Sequence, residues 1–207
     1  MTSEVEDESI VSFKLVHQGF SKFGVAQVKL PDGAVVAREI EDHGTAAAVL
    51  PYDPSRGIAV MVRQFRPAVL YAGGEAHMFE VPAGLIDKGE APEDAARREA
   101  FEEVGLKLEQ LESVGTCFAM PGISTERTHL FLAEITAGSE VHVGGGLATE
   151  HETLEVVHVP LDELALMADR DELTDLKTLA LVQTLRLRHP DVFQWMGLAA
   201  MPSRALG

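Results

Sequence analysis

The chain has 207 residues, with 33 Asp and Glu against 17 Lys and Arg, a formal charge of −16. A protein this acidic is not drawn to nucleic-acid phosphates or to an anionic membrane face by its bulk field. Apolar residues at 46% and a length of ordinary domain size predict a globular chain with a sizeable core, not a disordered one.

Residues 1–10 are acidic and read as frayed. Residues 25–30 alternate, Pro31-Asp32-Gly33 turns, and residues 34–40 run back, which predicts a hairpin. A boundary falls near His43-Gly44. Residues 45–50 are a buried-strand run, residues 51–57 a turn and residues 58–62 the return strand. Residues 79–82 form a short strand, followed by a loop to Gly89. Pro92 opens a helix that ends at Gly105. Strands follow near residues 112–119, 128–135 and 152–159, then helices over 161–167 and 175–188. The order predicts an α+β fold.

Cys117 is the only cysteine, so no intrachain disulfide forms, and its apolar neighbours predict a buried packing residue. The N-terminus has no basic segment of the signal-peptide kind, and no stretch reaches the length of a membrane span. The expected location is cytoplasmic.

The chemistry concentrates between Gly84 and Gly105. On a helix, Glu99 and Glu103 stand at i and i+4, and Glu99 and Glu102 at i and i+3. Like charges so stacked repel. A hard divalent cation such as Mg²⁺ resolves the conflict, because it takes oxygen ligands. Ala96, Ala100 and Val104, with Phe101 beside them, read as the opposite, packing face. The spacing is Gly-x₅-Glu-x₇-Arg-Glu-x-x-Glu-Glu-x-Gly. At roughly one in fifteen per fixed position, chance gives this on the order of 10⁻⁸ per starting point.

This stretch resembles the Nudix box. Gly84, Glu90, Arg98, Glu99, Glu102, Glu103 and Gly105 fill its fixed positions, and Ala100 stands where a bulkier aliphatic is common. The resemblance implies the Nudix fold, mixed β-sheets between helices, preceded by a small N-terminal antiparallel β unit. It implies Glu99 and Glu103 as main Mg²⁺ ligands, Glu102 sharing or bridging through water, and the Ala83 carbonyl joining them. Arg98 is expected to orient a glutamate, Glu90, by a bidentate ion pair.

The flanking segments sharpen the resemblance. Residues 43–51, Arg63-Gln64-Phe65-Arg66-Pro67, Glu80-Val81-Pro82-Ala83-Gly84, residues 120–127 and residues 146–156 together look like the ADP-ribose pyrophosphatase branch, including its relative that cleaves GDP-mannose. That branch carries its catalytic base on a loop outside the box, where Glu150 and Glu152 lie. Glu150 is favoured as base and Glu152 as a further metal ligand, with Gly144 to Gly146 as the hinge. Arg63 and Arg66 leave one strand facing the cleft, and Arg66 aligns best with the arginine that holds diphosphate or ribose. Glu126 joins the substrate-binding set. Arg38 is expected to reach the partner subunit's site, and Phe23 either stacks a base or packs. His77, His129 and His151 show no ligand spacing and read as structural or surface residues.

The implied reaction is Mg²⁺-dependent hydrolysis of the diphosphate bridge of a nucleoside diphosphate sugar. ADP-ribose, giving AMP and ribose 5-phosphate, stands first, and GDP-mannose, giving GMP and mannose 1-phosphate, is the alternative. Two or three ions are expected, with Mn²⁺ able to substitute. A homodimer is implied, and neither nucleic acid nor membrane is a partner. The rivals are another Nudix substrate, such as a dinucleoside polyphosphate, and a non-catalytic ligand-binding Nudix module. The predicted organisation is an N-terminal dimerisation unit over 1–43, a catalytic domain over 44–190 and a tail over 191–207.

Overall fold

In the computed structural model, the described residues are 7–145 and 154–193. Strands β1 (Ser9–Gln18), β2 (Lys22–Lys29) and β3 (Val35–Asp42) form a separate antiparallel sheet in that order. The hairpin of β2 and β3 is the one that the alternation predicts. β1 corrects the reading of the first ten residues, because Ser9 and Ile10 already pair with β2. All of β1 is exposed, including Ile10, Val11, Phe13, Leu15 and Val16. A strand with no buried face carries no clean period-2 signal, which is why alternation missed it.

The larger sheet contains β4 (Thr45–Asp53), β5 (Ile58–Phe65), β6 (His77–Glu80), β7 (Ala83–Leu85), β8 (Glu112–Phe118), β9 (Arg127–Glu134) and β10 (Leu154–Pro160). Its main order is β10-β5-β4-β9-β8. β4 runs parallel to β9 and is buried from Ala46 to Asp53, so it reads as a continuous apolar run. Helix α1 (Pro67–Tyr71) follows β5, and its five residues fall in a stretch for which the sequence predicted no element.

Each sheet face has its own helical cover. Ala47, Val49, Val60, Val62, Phe131 and Ala133 pack against α2 (Pro92–Val104). Ala48, Leu50, Met61, Leu130 and Leu132 face α3 (Leu161–Asp169) and α4 (Leu176–Arg188). The alternate residues of each strand supply the two cores, as the pleat requires. α2 begins with Pro92 in its first turn and ends at Gly105 in the left-handed conformation, φ 70°.

The sheet forks in a way that opens a cleft. β4 pairs with β5 only at Tyr52 and Asp53. Toward its start β4 pairs with β7, whereas β5 pairs with β6. Between the two branches lies a cavity of about 460 Å³, walled by Arg66, Glu80, Ala83, Gly84, Glu126 and Lys177 among others. The N-terminal sheet is tied to its rim. The Glu41 N–H donates to the Ile123 carbonyl at 2.8 Å, and the Thr125 hydroxyl donates to Asp42 at 2.8 Å.

Candidate active site

The buried stripe of α2 is Ala95, Ala96, Glu99, Ala100, Glu103 and Val104. This corrects the assignment of faces. Glu99 and Glu103 continue the packing stripe instead of opposing it, while Phe101 is 47% exposed and meets the His142 ring edge-on. The two carboxylates point inward at β7. The reason lies in Gly84, where a Cβ would come within 2.0 Å of Glu99 Oε1. Any side chain at position 84 would displace Glu99.

Glu103 is 6% exposed, and its Oε2 accepts the Ala83 N–H at 3.1 Å. Ala83 therefore stands beside Glu103, where its carbonyl was expected to contribute. Arg98 forks onto Glu90, with Nε to Oε1 and Nη2 to Oε2 both at 3.0 Å. That is the bidentate geometry expected of this pair. Arg98 Nη1 also donates to Glu99 at 2.6 Å and to Glu102 at 3.4 Å, and Nη2 donates to the Leu85 carbonyl at 2.9 Å. The Arg98 hydrogen bond, with a second from the Asp87 backbone, holds the Glu90 carboxyl below its ordinary range. The same contact with Glu90, opposed by burial and supported by Glu99, raises Arg98 further above its already high value.

Among the described residues, no three His, Cys, Asp or Glu side chains already converge as a ligand cluster. The reason is visible in the bonds: Glu99 and Glu102 turn to Arg98, and Glu103 turns to the Ala83 N–H. The donor set still fits a hard cation, because these are all carboxylate oxygens, and Glu99 and Glu103 stand against Gly84 and Ala83, which line the cleft.

On the other wall, Arg66 does line the cleft. Its Nε and Nη2 donate to Glu80 at 2.6 and 2.8 Å. Glu80 is 2% exposed and also accepts from Lys177 Nζ at 2.5 Å. Burial pushes the Glu80 carboxyl up, but the Arg66 hydrogen bond and the charges of Lys177 and Arg66 outweigh it and hold it down. Lys177 is held a second time by Asp175 at 3.0 Å. Asp175 caps α4 through the Thr178 N–H at 3.0 Å, and the Thr178 hydroxyl accepts the Val81 N–H at 3.0 Å.

Glu126 lines the same cleft, beside Thr128. Arg63 does not. It projects from the opposite side of β5 into a separate depression with Glu75, His77 and Glu155, and its guanidinium lies 3.8 Å from Glu155. Residues 63 and 66 were expected to share one cleft, but side chains alternate along a strand, so positions three apart at the end of β5 leave opposite faces. Arg38 is exposed on β3, away from its own chain's cleft. Cys117 is exposed and lines a 270 Å³ hollow beside the cleft, which corrects its expected burial. β8 is an edge strand whose Thr116, Cys117 and Phe118 are uncovered, so apolar neighbours there do not mean a core. His77 is exposed and His129 bonds Thr116 at 2.9 Å.

Glu150, Glu152, His151 and Gly146 lie outside the described residues. The chain enters that segment from Gly144 and Gly145, both at positive φ. A Cβ on Gly144 would meet the Glu103 carbonyl oxygen at 2.5 Å, and the Gly145 N–H donates to that oxygen at 2.7 Å. These two glycines are thus pinned to the end of α2, next to Glu103. Gly144 and Gly145 therefore permit close approach to the end of α2.

Sequence reasoning missed Glu80, Lys177 and Asp175. A cue existed: lysine is disfavoured in the first turn of a helix, so one there signals a neighbouring anion.

The NUDIX domain family matches residues 42–182. A GDP-mannose pyrophosphatase of Cronobacter sakazakii is 39% identical over 160 residues, covering 76% of this chain and 82% of that protein. One of Escherichia coli O1:K1 / APEC is 35% identical over 161 residues, covering 76% and 83%. The crystal structure of an ADP compounds hydrolase superposes with a TM-score of 0.69 at 20% identity, over 90% of this chain and 97% of that one, a likeness of fold. The filled box, the helix that presents it and the family match over most of the chain lead to one conclusion: this protein belongs to the Nudix hydrolase family.

Proposed function

We propose that the chain hydrolyses the diphosphate bridge of a nucleoside diphosphate sugar in a Mg²⁺-dependent reaction. One observation carries the reading. A single cleft is lined by Ala83 and Gly84, against which Glu99 and Glu103 stand, and by two cations, Arg66 and Lys177. A diphosphate needs both. Mg²⁺, when bound, supplies neutralisation of the bridging oxygens and acidification of the attacking water. Glu99, Glu103 and the Ala83 carbonyl would hold it, with Glu102 in support. Two or three ions, and replacement by Mn²⁺, are part of the proposal.

The remaining steps belong to side chains. Arg98 keeps Glu90, Glu99 and Glu102 in register. Arg66 binds the substrate's phosphate. Glu126 contacts substrate from the opposite rim. Glu150 takes the proton of the attacking water, and Glu152 adds a ligand. Gly145, which precedes them in the chain, donates to the Glu103 carbonyl at the end of α2, which favours this assignment.

Two substrates stand level. The flanking motifs favour ADP-ribose, and relatives named GDP-mannose pyrophosphatase favour GDP-mannose. A panel of nucleoside diphosphate sugars with Mg²⁺, scored by kcat/KM and product identity, decides between them. Release from none of them would end the proposal.

The exposed apolar strand β1 and Val35 offer a surface for a second copy, in a homodimer that brings Arg38 to the partner's cleft. Residues 1–43 serve as that unit, 44–190 as the catalytic domain and 191–207 as a tail. Among the described residues no helix is long and apolar enough to cross a membrane. A cytoplasmic setting, with no nucleic-acid partner, completes the proposal.

A further inference from the structure

We propose that Glu80 is a positioning residue for substrate binding, which holds Arg66 and Lys177 as a two-cation clamp facing the cleft. The inference rests on the diphosphate reading given above. Glu80 sits at the end of β6, and only 3% of its side chain is exposed. Its Oε1 accepts from Arg66 Nε, and its Oε2 accepts from both Arg66 Nη2 and Lys177 Nζ. Arg66 follows the end of β5 and Lys177 lies in the first turn of α4, so one carboxylate joins these two elements, itself 97 residues from Lys177 along the chain. Both cations line the cleft.

A buried carboxylate of this kind is costly unless paired, so its retention asks for a reason. Stability alone is a weak one. Long cationic side chains lose rotamer freedom when they bind an anion. Glu80 removes that freedom in advance and fixes the spacing that a phosphate group meets. Asp175 secures Lys177 from its other side. Both Glu80 oxygens are taken up by Arg66 and Lys177, so Glu80 acts through its partners.

A comparison within the molecule separates positioning from plain support. Asp53 is also a buried carboxylate, 1% exposed, and bonds Arg56 at 2.7 Å. Its pair lies in the turn after β4 and outside the cleft.

The experiment measures kcat, KM and Tm for wild type, Glu80→Gln, Glu80→Asp, Arg66→Ala, the Glu80→Gln/Arg66→Ala double variant and Asp53→Asn. The substrate is the best of the nucleoside diphosphate sugar panel. The proposal predicts that Glu80→Gln raises KM about 10-fold or more with a much smaller change in kcat, the pattern of lost uniform binding. Glu80→Asp, which keeps the charge but is shorter, gives a smaller rise and serves as the measure if Glu80→Gln does not fold. In the double variant the Glu80 effect shrinks, because the two residues act as one unit. Asp53→Asn lowers Tm and leaves KM alone. A KM unchanged in Glu80→Gln while Arg66→Ala raises it would overturn the positioning role and keep the diphosphate reading. An Arg66→Ala variant with unchanged KM would instead reject the reading on which the clamp rests. A rise in KM for Asp53→Asn equal to that for Glu80→Gln would reduce Glu80 to general support.

Discussion

The two walls of the cleft differ in charge balance. On the α2 wall one cation, Arg98, sits among three carboxylates, Glu90, Glu99 and Glu102. On the β5–α4 wall two cations, Arg66 and Lys177, are matched by two carboxylates, Glu80 and Asp175. Arg98 organises the first group and Glu80 the second. The first wall carries an acidic surplus, which suits a metal ion, and the second holds fixed cations, which suit a phosphate. A net charge of −16 hides this division. Local field, set by which side chains share a wall, decides what the cleft binds.

The comparison can be broken at several points. Glu103→Gln removes a buried oxygen charge from the acidic wall. We expect kcat to fall by about 10³-fold, the order of several kcal/mol that metal-assisted charge stabilisation contributes. Circular dichroism should stay native. Arg98→Met strips the acidic wall of its organiser. The Mg²⁺ concentration for half-maximal rate should rise roughly 10- to 100-fold, as for other groups that orient metal ligands. An unchanged Mg²⁺ requirement would mean that the fork onto Glu90 is structural only. Arg66→Ala touches the opposite wall and should raise KM about 10-fold with the Mg²⁺ requirement unmoved.

The smallest effect is on acid stability. Folding holds the carboxyls of Asp53, Glu80 and Glu112 below their ordinary range. At Asp53, burial pushes upward and is outweighed by bonds from Ser55 and Arg56. At Glu112, the Arg188 hydrogen bond dominates, burial opposes it and His189 adds to it. A depressed carboxylate contributes stability that is complete above its unfolded pKa, near about 4, and that is lost as pH falls through the folded value. Thermal melts should therefore show a level Tm from about pH 8 to 5 and a fall below roughly pH 4. A fall centred above pH 6 would point to histidines instead.

Much of the acidic wall was legible in the sequence, because it is one contiguous segment. A Gly-to-Gly spacing on a single helix fixes which carboxylates meet, and Arg98 with Glu90 follows from it. Its orientation was not legible. Helical periodicity cannot tell a buried glutamate from a solvated one, so Glu99 and Glu103 were placed opposite the packing face that they in fact extend. The β5–α4 wall was mostly illegible, since Glu80 and Lys177 are joined by tertiary contact alone. Arg63 was misplaced because side chains alternate along a strand, so residues three apart leave opposite faces and Arg63 and Arg66 do not share a side. In the N-terminal sheet, β1 escaped because no face of it is buried.

The central claim is hydrolysis of a diphosphate that needs both walls, with the metal on the acidic one. It is tested most directly by following nucleoside monophosphate release from ADP-ribose and GDP-mannose against Mg²⁺ concentration, for wild type and Glu103→Gln. The account predicts a rate that saturates with Mg²⁺ in the wild type and stays near background in the variant. Release independent of added metal, or a Glu103→Gln curve that overlays the wild type, would contradict it.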